Sequence, residues 1–215
     1  LGFALANGQL DMRAAKLPYE KSRSLGAGDA DILSRYAIFI SRFKRFDDAT
    51  DAITQSTALD PLNPRTFRNS AFIHYSARRF DEAIKANRAA LELNPKLGSA
   101  HAAIGNALLL QGKFDEAETA YLAEKNSLFR LPGIAMLAQR KGDTAKAQKA
   151  VADMVPEHGA NSLYQQAQIY AQWGDKAKAV EALKAAYAAG DAGVGAMNVD
   201  PLLDPVRQEP AFKDL

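Results

Sequence analysis

The sequence predicts an all-α fold, a right-handed superhelical solenoid of antiparallel helix pairs. Landmark residues return every 34 positions, apolar residues between them recur at a spacing of three to four, and small residues hold equivalent places in successive segments. Phe46, Phe80 and Phe114 keep the 34-residue step, as do Ala49, Ala83 and Ala117, and so do Pro61 and Pro95. A helix pair that repeats in this way has too little core of its own and must bury its apolar faces against its neighbours.

The chain divides into three stretches. Residues 1–29 read as a partial N-terminal helix pair, residues 30–190 as the repeat array, and residues 191–215 as a C-terminal loop and capping segment. Within the array, Arg45-Phe46-Asp47-Asp48-Ala49, Arg79-Phe80-Asp81-Glu82-Ala83 and Lys113-Phe114-Asp115-Glu116-Ala117 each read as a turn entering a helix. Their acids are expected at the helix N-terminus, where unpaired N–H groups and the positive end of the dipole favour negative charge. Gly142-Asp143-Thr144-Ala145 and Gly174-Asp175-Lys176-Ala177 continue the series at shortened steps of 30 and 32 residues between turn glycines.

The helix expected over Pro64–Ala77 carries Phe67, Ser70, Ala71 and His74 on one face, and the next carries Ala83, Ala86, Ala90 and Leu93. Small residues at Ala49, Ala83, Ala117, Ala147 and Ala179 let paired helices approach. Gly190-Asp191-Ala192-Gly193-Val194-Gly195 is too rich in glycine for a helix interior and reads as a loop.

These phrases, together with Ile104-Gly105, Tyr121 and the closing Pro95, resemble the tetratricopeptide repeat over roughly residues 30 to 190. His101 and Phe67 stand where that family often has Trp, and Glu124 replaces a customary small residue. The resemblance implies a non-enzymatic scaffold that binds a protein or peptide in a concave groove. The tail from Asp200 to Leu215 resembles the closing segment of repeat regions that end larger bacterial signalling proteins, such as winged-helix regulators and adenylate cyclases. Its Leu202, Leu203, Val206 and Phe212 are expected to cover the apolar end of the last helix pair. The chain starts at Leu1 without an initiator Met, which adds to the expectation of one part of a larger bacterial protein.

Composition narrows the function classes. Hydrophobic residues make up 47% and charged residues 24%, so the chain should fold rather than stay disordered. A net charge of +2 is too small for a general nucleic-acid or membrane footprint, and no apolar run approaches a bilayer span of roughly 20 residues. Direct membrane insertion and nucleic-acid binding are therefore not expected, and the chain reads as soluble, in the cytoplasm or the periplasm. With no cysteine there is no disulfide or thiolate chemistry. His74, His101 and His158 lack ligand-spaced companions, and His158 falls in an expected Pro156–Gly159 loop, so neither metal nor cofactor is expected. The recurring acids follow the repeat period and are explained by architecture, which leaves no nucleophile beside a base.

On the face of Pro64–Ala77 away from the packing seam lie Arg65, Arg68, Phe72 and Tyr75. In a stacked array they would line the groove, with Arg42, Asn106 and Leu109 extending it from adjacent inner helices. Guanidiniums beside aromatic rings suit a partner's carboxylates and apolar side chains. The basic run Arg35, Arg42, Lys44, Arg45, Arg65, Arg68, Arg78 and Arg79 favours an acidic partner. The pattern is similar to carboxylate-clamping grooves of chaperone-binding repeat proteins without reproducing their full Lys, Asn and Arg set. The rival reading is a sensory module that binds a small ligand and regulates a linked output domain. Self-association through the edge of the first, incomplete pair is a further option.

Overall fold

A computed structural model describes residues 1–215, helical throughout and without strands. Twelve α-helices follow in order: α1 Met12–Leu25, α2 Ala30–Ser41, α3 Phe46–Leu59, α4 Pro64–Ser76, α5 Phe80–Leu93, α6 Ala100–Leu110, α7 Phe114–Ala123, α8 Ser127–Arg140, α9 Thr144–His158, α10 Leu163–Trp173, α11 Lys176–Ala188 and α12 Pro210–Lys213. Leu1–Ala100 with Gly195–Val199 forms one compact unit, and His101–Val194 with Asp200–Leu215 forms a second.

In unit 1, α2 pairs with α3 and α4 with α5, while α4 also packs on both α2 and α3. Phe39, Ile40, Ile53 and Ile73 are almost wholly buried at its centre, and each such side chain stabilises the fold by about 1.5–3 kcal/mol. The Tyr19 ring from α1 stacks on Phe39 at 4.1 Å between centroids. The α4 seam is wider than the sequence pattern suggested. Thr66, Ala71, Ile73 and Ser76 are buried while Phe67, Ser70 and His74 are half-buried, because α4 has neighbours on several sides. On α5, Ala83 and Ala90 are buried, but Leu93 at the last turn is 40% exposed and does not join the seam.

The helix starts correct one expectation. Asp47, Asp81 and Asp115 do not cap their helices: the N-cap residues of α3, α5 and α7 are Arg45, Arg79 and Lys113, with no side-chain cap bond. The Phe takes the first helical position, leaving the acid in the first turn, where it still meets the positive end of the dipole. Asp143 and Asp175 do cap α9 and α11, accepting from the backbone N–H of Lys146 and Lys178. Counted from the turn residue the N-cap is always the next position, and only the later repeats place an acid there.

The turn residue itself is left-handed at every pair: Lys44 and Arg78 at φ 62°, Gly112 at 75°, Gly142 and Gly174 at 82°. A side chain there costs about 1–2 kcal/mol, partly offset in the comparison with glycine by glycine's greater chain entropy. Lys44→Gly is therefore expected to raise the unfolding free energy by about 0.5–1 kcal/mol, seen as a higher denaturant midpoint, and Gly112→Ala to lower it by about as much. Equal midpoints for all three proteins would contradict the assignment of the turns.

In unit 2, α8 pairs with α9, α10 with α11, and α8 lies against both α7 and α10. The fully buried Tyr121 of α7 donates its hydroxyl to Asn106 Oδ1 at 2.9 Å. Glycines face its ring from two helices. A Cβ added to Gly105 would lie 2.5 Å from the ring, and one added to Gly133 would lie 2.1 Å from it. Glu124, only 3% exposed, accepts from the backbone N–H groups of Ala102 and Asn126, so this departure from a small residue closes the first turn of α6 and the α7–α8 turn.

The C-terminal segment forms a 3-10 turn over Pro201–Val206 that packs on α10 and α11, with Leu202, Leu203 and Val206 fully buried and Phe212 at 4% exposed. The expected glycine-rich loop holds a 3-10 turn at Ala192–Ala196, and α9 continues through Pro156 to His158, so His158 ends a helix rather than sitting in a loop. No helix is long and apolar enough to cross a membrane.

An ion cluster joins α7 to the α8–α9 turn region. Glu118 meets Lys141 at 2.8 Å and Lys146 at 2.9 Å, and these lysines hold its carboxyl at about 2, below the ordinary 4.5. A depressed folded-state pKa gives stability that is present above the usual carboxylate value and lost as pH falls toward the folded one. Glu118→Gln should therefore unfold at a lower temperature than the parent at neutral pH, with the two melting temperatures converging between pH 4.5 and 2. A gap that does not close on acidification would contradict the ion-cluster account.

Candidate functional site

A cleft of about 340 Å³ opens in unit 1, lined by α2 and α4 with the N-terminal segment and α1 at one side. Helix geometry sets its basic wall. Arg35 on α2 and Arg42 at its C-cap lie seven residues apart on one face, and Arg65 and Arg68 three apart on α4. Asn63 caps α4 through the Arg65 N–H, and Pro64 fixes the first turn, so Arg65 and Arg68 leave the helix at a rigid end. The floor is polar and satisfied, with Asn69 Nδ2 donating to the buried Ser34 Oγ at 2.9 Å.

Two of the guanidiniums are engaged within the molecule. Arg35 pairs with Asp31 at 3.1 Å and lies over the Phe3 ring at 5.5 Å. Arg42 donates to Asn7 Oδ1 at 3.0 Å. The side chains of Arg65 and Arg68 have no hydrogen-bond or ion-pair partner in the structure. Arg68 is half-buried, and burial, followed by the charge of Arg65, pushes its pKa below the ordinary arginine value. A guanidinium drawn partly out of water beside a like charge gains from an anion arriving between the two.

The cleft thus brings together Arg42, Arg65 and Arg68 of the residues singled out from sequence. Phe72 and Tyr75 stand further along α4, half-buried and outside the lining; the Tyr75 ring packs on Phe80 at 5.8 Å between centroids. Asn106 and Leu109 belong to unit 2. Asn106 is occupied by the Tyr121 hydroxyl, and Leu109, at 3% exposed, is a packing residue there rather than an open contact. Arg35, Asn63, Asn69 and the N-terminal Phe3 and Asn7 line the cleft without having been named as site residues. The i, i+7 spacing of Arg35 and Arg42 was the available signal for the first. The approach of Phe3 and Asn7 depends on tertiary packing that no local pattern carries.

A second cluster in unit 2 was also invisible in sequence. Ser127 Oγ donates to Glu157 Oε1 at 2.6 Å and lies 2.9 Å from His158 Nε2. With the hydroxyl hydrogen directed at the carboxylate, the imidazole nitrogen is the donor to Oγ. That is the reverse of a base drawing a proton from a nucleophile, and the carboxylate does not orient the far side of the ring. The trio ties the start of α8 to the end of α9.

Comparison with known proteins agrees with this architecture. Models of the tetratricopeptide repeat match residues 42–98, 73–127 and 160–189, together over half the chain. The small glutamine-rich tetratricopeptide repeat-containing protein 2 of Mycosarcoma maydis is 32% identical over 78 residues, which are 36% of this chain and 22% of that protein, so the chain spans about a fifth of that relative's length. Among solved structures, the type IV pilus biogenesis factor PilW is similar at a TM-score of 0.63, with 19% identity, 87% of this chain and 89% of that one covered. PilF of Pseudomonas aeruginosa is similar at 0.61, with 18% identity and 85% and 86% covered. At these identities the likeness is one of fold.

Proposed function

Because the chain belongs to the tetratricopeptide repeat family, a family of protein-interaction scaffolds, we propose that it binds a protein or peptide partner in the α2–α4 cleft of unit 1. The partner presents acidic side chains to Arg65 and Arg68 and apolar ones to the half-buried rings further along α4. The observation that carries this reading is Arg68, a half-buried guanidinium beside Arg65 with no acid of its own chain to pair with. A charge drawn partly out of water is costly until it is paired, and a carboxylate from outside completes it with charge-assisted, two-pronged hydrogen bonds. Asp31 is the single acid of the lining, against four arginines, so the field in the cleft selects against basic segments.

The reading is tested by affinity capture with the intact chain as bait beside an Arg65→Glu, Arg68→Glu, Phe72→Ala variant of equal thermal stability. A partner retained by the parent chain and lost by the variant, whose binding segment is acidic when mapped, is the expected result. Partners held equally by both baits would remove the cleft from the account.

A further inference from the structure

Five residues far along the chain belong to unit 1. Gly195–Val199 runs from the last residues of the Ala192–Ala196 turn to just before the Pro201–Val206 turn and packs with the first hundred residues. It is firmly seated, with Val199 fully buried and Met197 at 7% exposed. Arg78 Nη1 donates to the Val199 carbonyl at 3.1 Å. At the other end Gly195 comes so close to Arg42 that an added Cβ would lie 3.0 Å from Arg42 Nη1.

Both anchors bear on the cleft. Arg42 is one of its lining residues, and Arg78 follows directly after α4, the helix that carries Arg65 and Arg68. Arg78 also occupies a left-handed turn position where the later repeats have glycine, and its clamp on Val199 gives a reason to keep a side chain there despite the backbone cost. On one side the segment follows Gly190, which has a left-handed backbone at φ 70° and open space around it, so the chain there can absorb a change of path.

We propose that Gly195–Val199 is a detachable strap, clamped by Arg78 and packed against Arg42 beside the Arg65 and Arg68 cleft, so that a partner reaching Arg42 from the cleft must displace the strap. This rests on the peptide-binding reading for its consequence, but the strap itself is testable without any partner. Lifting the strap uncovers the side of the Arg42 guanidinium that faces Gly195, while Asn7 still holds the other nitrogen, and a partner's carboxylate can then reach Arg42 as well as Arg65 and Arg68.

The experiment compares the full chain with Arg78→Gly, which removes the clamp, and with Lys44→Gly, which relieves the equivalent turn one repeat earlier and leaves the strap untouched. Phenylglyoxal labelling read by mass spectrometry reports the reactivity of each arginine, and amide exchange reports protection of residues 195–199. The expected result is Arg42 labelled at least threefold faster in Arg78→Gly than in Lys44→Gly, with protection of 195–199 lost only in the former. Equal Arg42 labelling, or protection retained in Arg78→Gly, overturns the strap.

A labelled peptide of alternating Glu and Leu adds the competition arm. It should bind Arg78→Gly more tightly than Lys44→Gly by at least fivefold, and its binding to the parent chain should speed exchange of 195–199. If the peptide binds neither protein while Arg42 labelling still rises, the strap stands and the peptide reading falls. If it binds both equally, the competition is refuted and the strap is only a structural tie.

Discussion

Gly133→Ala is expected to destabilise unit 2 by about 3 kcal/mol or more, enough to show as a large drop in the thermal midpoint. The added methyl would sit 2.1 Å from the Tyr121 ring, well inside van der Waals contact. The ring has nowhere to retreat. Gly105 backs the ring from α6 so closely that a Cβ there would lie 2.5 Å from it, and the hydroxyl is held by Asn106. Relief must come from moving α8 away from α7, which opens packing around Ala135, Met136 and Leu137, all nearly fully buried. Tyr121→Phe should cost only about 1 kcal/mol, because the half-exposed Asn106 can turn to water. Tyr121→Leu in the Gly133→Ala background should recover part of the loss by making room. A Gly133→Ala protein that melts with the parent would show that α7 and α8 do not meet as described.

Asp200→Ala is the second large effect, expected at about 3 kcal/mol. The Asp200 carboxylate, 6% exposed, accepts from Tyr164 at 2.9 Å, Gln168 at 2.7 Å and the Leu202 N–H at 2.9 Å. It fastens the start of the capping turn to α10. Alanine leaves these three donors without an acceptor while Leu202 and Leu203 beside it remain buried. Burial pushes the Asp200 carboxyl above the usual range, and the donors and Arg207 pull it only part of the way back. A raised folded-state pKa means that its stabilising contribution is full at low pH and declines as pH rises through that pKa. Asp200→Asn, which keeps the size and one acceptor, should accordingly differ most from the parent in acid and less as pH rises. Chemical denaturation between pH 4 and 8 reads both effects, and a difference that widens with pH would reverse the assigned sign.

The repeat arithmetic carried most of the fold. Phe46, Phe80 and Phe114 marked the helix starts because each occupies the same first helical position, and Gly105, Ala117 and Tyr121 fell where the packing needs them. What misled was register within a phrase. An acid after Phe looks like a cap, yet the cap lies two residues earlier, where the first repeats have Arg or Lys and the later ones Asp. The cleft proposed as the site was legible along each helix and not between segments. Arg65 and Arg68 share a face by spacing alone, and Arg42 reaches the same cleft because α2 and α4 pack together. Leu109 was misread because the face it occupies is covered in unit 2, which periodicity cannot reveal. Nothing local announces that Val199 packs with the first hundred residues, since that pairing is 121 positions distant from Arg78.

The most direct test of the central claim is a fluorescence-anisotropy titration of the alternating Glu and Leu peptide against the parent chain and an Arg65→Glu, Arg68→Glu variant, at low and at physiological salt. Losing two charge-assisted contacts of about 1.5 kcal/mol each weakens binding about 100-fold. The account predicts that loss, together with weaker binding of the parent chain as salt rises and no comparable salt response in the variant. Equal affinity of the two proteins for the peptide would contradict it.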